Sequence, residues 1–493
     1  MSSRRLLVNS AANLIGRAGG SVINVLAVPL YVRWLGAESF GVVAFVVSLQ
    51  ASLAILDLGL AMTMNREVAR LEGKNPILVG NTLSTLARVY GITALTVFCV
   101  LAAGAPWLVD HWLHLKSLDP EEIKLCLVLA AAGIALRWPV AVYSGVIQGA
   151  QKQVLANSIS GGMGLGRAAG GLAALAFVDA RLEVFFTWQV IAAVIELVLT
   201  RYFAWKSLPP ESYRLGQFDW AVLAGVWRFA AGFGLVAAVG TLVANLDRLL
   251  VARLLPLENL GLLAMLSTAA GVITLCGSAV STAVFPQFVK AGQAIDRETQ
   301  LGIELKRSLR LIAAVVVPGL LVFVFFTPSL LIVWTGNGQL PTDGVVTLRL
   351  LALGAAINAI GSPFYIIVIA HGPVRWLLAA NLASLLLLIP LYWFGLPLIG
   401  IALAAVGWCL LNTILVFSSI LCCRNLVMMP RLSPKEVIYL FATPSLFAVV
   451  ANLTDHINIG HWTKLGLACG LAGVSLLSVE EVRQEISARI SLV

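Results

Sequence analysis

Charged side chains are scarce in this chain of 493 residues, and the scarcity limits the class of protein it can be. Asp, Glu, Lys and Arg make up 12% of the residues, against 59% that are hydrophobic, whereas soluble domains carry about 25% charge. Apolar runs of about 20 residues, the length that crosses a hydrocarbon core, recur along the chain. The composition predicts a membrane protein. Because no soluble catalytic domain fits between the runs, we expect no enzymatic activity.

Cysteine is also sparse, and its placement argues against two kinds of stabilising site. The seven cysteines fall in or beside apolar runs, and only Cys422 and Cys423 are adjacent. That spacing suggests neither a disulfide framework nor a zinc site, and we predict no cofactor.

The first apolar run, from about Asn9 to Trp34, lacks a compact apolar core and a small-residue cleavage site. We therefore expect it to remain as the first membrane helix.

The apolar runs predict fourteen membrane helices. Their approximate bounds are 10–35, 41–63, 80–103, 123–148, 154–178, 183–204, 221–252, 258–284, 308–335, 345–371, 374–397, 399–422, 435–453 and 462–479.

The distribution of positive charge predicts the orientation of these helices. If the N-terminus is placed in the cytoplasm, the cytoplasmic segments contain twenty Lys and Arg and the segments on the opposite side contain seven. Cytoplasmic loops are enriched in positive charge, so both termini are predicted to be cytoplasmic. The net charge of +9 then reflects topology and indicates no nucleic-acid partner.

An internal repeat appears at an offset of 220 residues. The segment at 31–44, YVRWLGAESFGVVA, matches VARLLPLENLGLLA at 251–264 through Arg, Leu, Glu, Gly and Ala at five fixed positions. The matched block lies between helices 1 and 2 and again between helices 7 and 8, so the repeat unit is six helices. The sequence thus predicts an all-α polytopic membrane protein with two six-helix bundles, related by a pseudo-two-fold axis, and an extra C-terminal helix pair.

The repeat also predicts how the chain is divided. The predicted parts are an N-terminal bundle at 1–205, a cytoplasmic linker at 206–220, a C-terminal bundle at 221–423, helices 13 and 14 at 424–480 and a cytoplasmic tail at 481–493. A cavity between the bundles is the expected binding site.

Six arginines fall within predicted helices, against three clear acids. A charge at the bilayer centre costs about 2.5–3.5 kcal/mol, so each should face a bundle interior or a wet cavity. The planar guanidinium can donate two hydrogen bonds to one phosphate, and helical spacing places several asparagines on the same stripes as the arginines. We therefore predict an anion-binding cavity, with these candidates for substrate binding: Arg17, Arg137, Arg167, Arg248, Asn13, Asn24 and Asn245.

Simpler roles remain open for several ionisable residues. Arg88 and Arg228 lie near cytoplasmic helix ends and can extend to the interface. Arg248 directly follows Asp247, and adjacent helical residues do not face each other, so a structural ion pair between Asp247 and another helix is as well supported as a functional site. The acids within helices can bind a coupling H⁺ or Na⁺, and they can equally neutralise the arginines. These coupling-ion candidates are Asp57, Glu196 and Asp247.

Glycines in the fifth predicted helix indicate a packing surface. Gly162, Gly166 and Gly170 recur every fourth residue, a spacing that permits close helix approach. We expect Arg167, which lies beside them, to reach a neighbouring helix or a ligand.

Three segments, taken together with the two predicted bundles, carry a resemblance to a known family. They are PLYVRWLGAESFG at 29–41, with Asn9 before it, DLGL at 57–60, and NLDRLLV at 245–251. As a set they resemble the polysaccharide-unit flippases of the Wzx type, in the multidrug/oligosaccharidyl-lipid/polysaccharide exporter superfamily. One departure is Leu255-Pro256 in the second half, where the first half has Leu35-Gly36.

The resemblance implies an alternating-access carrier in the bacterial inner membrane. Its implied substrate is an undecaprenyl-pyrophosphate-linked oligosaccharide, moved from the cytoplasmic to the periplasmic leaflet for O-antigen or exopolysaccharide synthesis. It also implies membrane lipid as surroundings, H⁺ or Na⁺ as coupling ion, and a polysaccharide polymerase and chain-length regulator as partners.

Two rival functions share the same architecture. A multidrug antiporter would bind cationic drugs and favour an acidic cavity, whereas the helices here carry more Arg than acid. A peptidoglycan-precursor flippase would also need cationic residues, and the sequence does not separate it from a sugar-unit flippase. A membrane glycosyltransferase would need a large outer loop or an acidic metal-binding cluster, and we see no such constellation.

Overall fold

The structure, a computed structural model, describes residues 23–53, 60–71, 75–210, 218, 220, 224, 238–336, 342–373, 375–424, 426–427, 434–456 and 460–477. Within those ranges the regular structure is helical, and the all-α polytopic class predicted from the apolar runs is confirmed. The chain divides into two compact units, Met1–Gly261 and Leu262–Val493. The bundle boundaries at 205, 220 and 423 stay a prediction.

The first unit is built from helices in chain order. They are α1 (Ile23–Leu35), α2 (Ala37–Leu53), α3 (Leu60–Leu71), α4 (Pro76–Trp107), α5 (Pro120–Arg137), α6 (Val140–Gly149), α7 (Gln153–Phe177), α8 (Leu182–Lys206), α9 (Leu246–Leu254) and the first turn of α10 (Leu257–Ala291). A π-helical turn, Leu108–Trp112, extends α4, and residues 238–244 are helical.

The second unit contains the remainder of α10 and seven further described helices. These are α11 (Arg297–Phe325), α12 (Thr327–Thr335), α13 (Thr342–His371), α14 (Arg375–Ile399), α15 (Ile401–Cys423), α16 (Pro434–His456) and α17 (His461–Leu477). Polar side chains join its helices: Asn358 Nδ2 donates to Asn412 Oδ1 at 2.7 Å. Such hydrogen bonds hold helices together where lipid offers no hydrophobic driving force.

Two helices of the first unit begin at a capping residue that is followed by a proline. Asn75 Oδ1 accepts a hydrogen bond from Leu78 N–H at 3.0 Å, and Asp119 Oδ1 accepts one from Glu121 N–H at 3.2 Å. In both cases a proline follows the capping residue and occupies the first helical position, where its missing N–H costs nothing. The sequence therefore sets the starts of α4 and α5 locally.

Eight helical stretches in the described part of the chain are long and apolar enough to span a bilayer. They coincide with predicted spans 3, 4, 6 and 8 to 12. Large side chains such as Phe394 and Leu398 are exposed on them, as suits contact with lipid tails. Predicted spans 1, 2, 7 and 14 include residues outside the described ranges.

Several predicted spans differ in detail from the helices observed. The span at 123–148 is two helices that meet at Trp138-Pro139, because Pro139 has no N–H to donate and Trp138 N–H instead reaches Ala135 O. The helix predicted from 308 begins at Arg297 and ends at Phe325, and a separate helix, α12, begins at Thr327 with Pro328 in its first turn. The prediction began too late because the first turns of α11 are polar.

The internal repeat corresponds to a reciprocal contact inside the first unit. A Cβ built on Gly41 would stand 2.1 Å from Leu257 O, and one on Gly261 would stand 2.1 Å from Ala37 O. Ala37 and Leu257 are the first residues of α2 and α10 and are themselves 220 positions apart. Each repeat-matched glycine thus packs against the start of the other's helix, which supports the repeat.

The loop between α4 and α5 contacts the first turns of both α2 and α10. The Glu38 carboxylate accepts hydrogen bonds from Lys116 N–H at 2.5 Å and from the Ser117 hydroxyl at 2.6 Å. Lys116 Nζ lies 3.3 Å from Glu258 Oε2, so one lysine contacts both members of the repeat-matched glutamate pair. Exposed ion pairs of this kind contribute little by themselves, whereas the bonds to Glu38 fix the loop backbone.

Candidate functional site

Three helices of the first unit bring the strongest candidate residues together. Arg137 is the last residue of α5, Arg167 lies in the middle of α7, and Glu196 lies in α8. Both α5 and α7 pack against α8. Residues that are far apart in the sequence thus converge on one point.

The contacts at this point join two arginines to one carboxylate. Arg167 Nη1 donates a hydrogen bond to Glu196 Oε2, and Arg137 Nε lies 3.5 Å from the same oxygen. Arg137 Nη1 also donates to Gln50 Oε1 of α2 at 3.4 Å. The Glu196 side chain is 8% exposed, that of Arg167 19% and that of Arg137 34%. The carboxylate is therefore buried beneath two guanidiniums that are still partly accessible.

The charge of this cluster is not balanced. Two guanidiniums share one carboxylate, which leaves a net charge of about +1 within packed membrane helices. Each guanidinium carries five N–H donors, and the contacts found among the described residues engage one donor of Arg167 and two of Arg137. The remaining donors and the excess positive charge suit a multivalent anion such as a phosphate.

Contacts around the cluster hold α7 against α8. The Trp188 indole N–H lies within hydrogen-bonding distance of the carbonyls of Gly166, at 3.3 Å, and Arg167, at 3.2 Å. The Trp188 ring fills the space beside Gly170, where a Cβ would stand 2.0 Å from the ring. These contacts fix the backbone that carries Arg167.

Close packing is observed at one of the three glycines that recur every fourth residue. Gly170 is packed against Trp188, whereas no described residue lies within 4 Å of a Cβ built on Gly162 or Gly166. Close helix approach at Gly162 and Gly166 stays a prediction.

Other predicted site residues lie elsewhere or are engaged locally. Asn24 is exposed on α1, and Asn245 Nδ2 donates to Thr241 O at 2.8 Å, in the turn where the helical segment at 238–244 gives way to α9. Asp247 is buried, and its Oδ1 has no hydrogen-bond partner among the described residues. Arg248 is partly exposed. The site predictions on Asn13, Arg17 and Asp57 lie outside the described residues.

Two contributors escaped the sequence analysis. Gln50 lies in the C-terminal half of α2, where its neighbours are apolar residues and serines, and a single amide side chain in such a segment was the signal that could have identified it. Trp188 pairs with Gly170, and a large residue beside a small one on consecutive helices is a weaker signal. Within the described ranges, no group of three His, Cys, Asp or Glu side chains is placed to hold a metal ion.

The fold and the sequence both have known counterparts. The chain is similar to a Shigella flexneri protein assigned as an O-antigen transporter, with 22% identity over 414 residues that cover 82% of this chain and 94% of that protein. A solved structure titled lipid II flippase MurJ, in an inward closed conformation, superposes with a TM-score of 0.70 at 13% identity and covers 97% of this chain and all of that one.

Multidrug transporters share the fold as well. An inward-facing transporter of the multidrug resistance MATE family, of the MOP superfamily, superposes with a TM-score of 0.63 at 14% identity and covers 82% of this chain and 95% of that one. The profile of a family described as polysaccharide biosynthesis protein matches residues 6–291, more than half of the sequence. This multi-pass helical membrane protein belongs to the polysaccharide biosynthesis protein family.

Proposed function

We propose that this protein is a flippase for lipid-linked oligosaccharides. It would move undecaprenyl-pyrophosphate-linked sugar units from the cytoplasmic to the periplasmic leaflet of the bacterial inner membrane, for O-antigen or exopolysaccharide synthesis, by ion-coupled alternating access. The observation that carries this proposal is the convergence of Arg137 and Arg167 on one buried carboxylate. Family membership and the O-antigen transporter relative support the same substrate class.

The chemistry of the cluster favours a pyrophosphate. Charged groups within membrane helices are costly, and two cations close together are more so, which argues for a function that needs them. A guanidinium presents a planar pair of donors that matches two oxygens of one phosphate. In this proposal Arg137 and Arg167 bind the pyrophosphate, and Arg17, Arg248, Asn13, Asn24 and Asn245 contact the remainder of the substrate.

Two other functions fit the same fold. A multidrug antiporter would carry cations, and the +1 cluster in the first unit disfavours a cationic ligand there. A peptidoglycan-precursor flippase would use the same pyrophosphate chemistry, so it differs from our proposal only in the sugar that is carried. The experiment therefore has to identify the cargo as well as the arginines.

Coupling to H⁺ or Na⁺ is part of the proposal, and its candidates are acids within the helices. Asp247 is the candidate with the strongest structural support as an ion ligand, since a buried carboxylate oxygen without a partner is costly unless it is protonated or bound to a cation. Glu196 is paired with the arginines, and Asp57 stays a candidate from sequence. The undecaprenyl lipid, the polymerase and the chain-length regulator are the proposed partners.

Complementation tests the proposal. In a strain lacking its own sugar-unit flippase, wild type should restore surface polysaccharide, whereas Arg17→Ala, Arg137→Ala and Arg167→Ala should leave the lipid-linked unit on the cytoplasmic leaflet. Arg181→Ala is the matched control, since that arginine is exposed and pairs at 3.0 Å with Asp179 on the surface. All variants are compared at equal membrane abundance.

The results separate the rival functions. Resistance to cationic drugs without polysaccharide in several such strains would replace the proposal with the antiporter. Rescue of a strain depleted of its peptidoglycan-precursor flippase, without surface polysaccharide, would replace it with the second rival.

A further inference from the structure

Glu196 is the shared counter-ion of the two candidate substrate arginines. Its Oε2 contacts both Arg167 and Arg137, and the guanidiniums are close enough to repel each other electrostatically. The carboxylate is therefore what allows two cations to occupy this buried position. Protonation or displacement of the Glu196 carboxylate therefore removes the ion-pair partner of both arginines at once.

An anionic substrate at this site competes with Glu196. Phosphate and carboxylate oxygens accept the same charge-assisted hydrogen bonds from guanidinium donors. Like charges held a few ångströms apart repel strongly when they are shielded from water. A phosphate bound to Arg137 and Arg167 thus brings a second anionic group beside Glu196, and this repulsion is relieved when Glu196 is protonated or displaced from its observed place.

Among the described residues, the cations that form ion pairs with Glu196 are Arg137 and Arg167. The other ionisable groups of α5 lie at least eleven residues before Arg137, and those of α8 lie five or more residues from Glu196. The further groups on these helices and on the neighbouring α6 and α1 are Glu121, Glu122, Lys124, Cys126, Glu183, Arg201, Tyr202, Lys206, Tyr143, Tyr31 and Arg33. Tyr31 donates to Ala168 O at 2.7 Å, and Tyr143 interacts electrostatically with the exposed Arg201. Thr200 donates to the backbone carbonyl of Glu196, not to its carboxylate.

We infer that Glu196 is a displaceable counter-ion that takes up a proton when an anionic substrate binds the two arginines. The inference rests on the proposed function and adds a regulation of the same site. On binding, the guanidinium hydrogen bonds pass from the carboxylate to phosphate oxygens, and one proton from water adds to Glu196. The proton is taken up because an unpaired buried carboxylate is costly. Release of the anion returns the proton to water.

Binding of the anion and binding of the proton at Glu196 therefore reinforce each other, as linkage requires. The affinity for the anion falls as pH rises through the range in which the displaced Glu196 loses its proton. Glutamine has nearly the size of glutamate but carries no charge, so Glu196→Gln should remove this pH dependence of the anion affinity.

Titration calorimetry of the purified full-length protein with inorganic pyrophosphate measures the linkage. Heats in two buffers of different ionisation enthalpy give the number of protons taken up, for wild type, Glu196→Gln and the control Glu183→Gln, which changes an acid at the start of the same helix. The ionisation of pyrophosphate itself is common to all three proteins and cancels in the comparison. Thermal unfolding of each protein verifies that it is folded.

Wild type and Glu183→Gln should take up about one proton more than Glu196→Gln for each pyrophosphate bound. Relative to the variant, wild-type affinity should weaken by up to about tenfold per pH unit, and Glu196→Gln should bind more tightly at neutral pH. Equal proton uptake in folded wild type and Glu196→Gln would overturn the inference and leave the flippase proposal intact. Absence of pyrophosphate binding in wild type would also overturn it, and complementation with Arg137→Ala and Arg167→Ala would then decide the proposed function separately.

Discussion

We expect the proposed anion site to need arginine for its shape as well as its charge. The Arg167 guanidinium can bond Glu196 and still present donors to a second acceptor. A lysine in its place keeps the charge and can remain beside Glu196, but its ammonium is a compact point charge that cannot bond two phosphate oxygens in parallel.

We therefore expect Arg167→Lys to fold normally and to bind pyrophosphate about tenfold more weakly, the effect of losing one charge-assisted hydrogen bond of about 1.5 kcal/mol. Calorimetry at fixed pH and salt measures the change, with Arg181→Lys as control. Unchanged affinity in Arg167→Lys would mean that positive charge alone is recognised.

Close backbone approach leaves no room for a side chain at Gly41, where α2 crosses the start of α10. Since a Cβ would stand 2.1 Å from Leu257 O, the helices must separate to accept alanine, at a cost of about 1–3 kcal/mol. Gly41→Ala should lower the apparent melting temperature of the purified protein. Gly91→Ala is the control, because no described residue lies within 4 Å of a Cβ there, and a helical alanine is favoured over glycine. Equal melting temperatures for the two variants would contradict the observed packing.

The helices of the first unit are held by contacts that join one element to another. Trp188 ties α8 to the carbonyls of α7, and Glu38 ties the loop after α4 to the first turn of α2. Both are hydrogen bonds between a side chain and backbone groups of another element, so they set the position of that backbone.

The Glu38 contact should depend on pH. Burial alone would raise the pKa of Glu38, but the hydrogen bonds donated by Lys116 N–H and by Ser117 outweigh it and hold the pKa below its ordinary value. A carboxylate with a lowered pKa in the folded state stabilises above its unfolded pKa, and that stabilisation is lost as pH falls through the folded pKa.

Amide hydrogen exchange at Lys116 and Ser117 measures this effect. At neutral pH both amides should exchange more slowly in wild type than in Glu38→Gln, and the difference should shrink as pH falls below about 4, the ordinary carboxyl range. Comparison at equal pH removes the intrinsic pH dependence of exchange. A difference that persists undiminished at low pH would show that the carboxylate charge does not hold the loop.

For the whole molecule, the predicted topology places both termini in the cytoplasm. Twenty Lys and Arg fall on that side in the prediction, and the charge bias sets orientation during insertion. In a cysteine-free background, Lys116→Cys should react with a membrane-impermeant maleimide in intact spheroplasts, and Arg375→Cys only after permeabilisation. The reverse pattern would invert the topology and the proposed direction of transport with it.

The helices themselves were predictable from sequence, since an apolar run of spanning length has few alternatives to a helix in lipid. The predicted helix bounds were wrong where a proline or a polar turn altered the hydropathy pattern or the helix locally. Pro139 divides a run that hydropathy shows as continuous, and the polar first turns of α11 concealed a helix start. The reciprocal packing of Gly41 and Gly261 also had a sequence signal, because the repeat matched them at a fixed offset.

The sequence by itself determined the membrane class, the helical spans, the repeat and the excess of arginine over acid within the helices, because these follow from local composition and spacing. Only the tertiary structure decided that Arg137 and Arg167 share Glu196, that Gln50 contacts Arg137, and that Gly170 packs against Trp188. The physical reason is that helical periodicity fixes the face on which a residue lies, whereas its partner depends on which helix packs against that face and at what height.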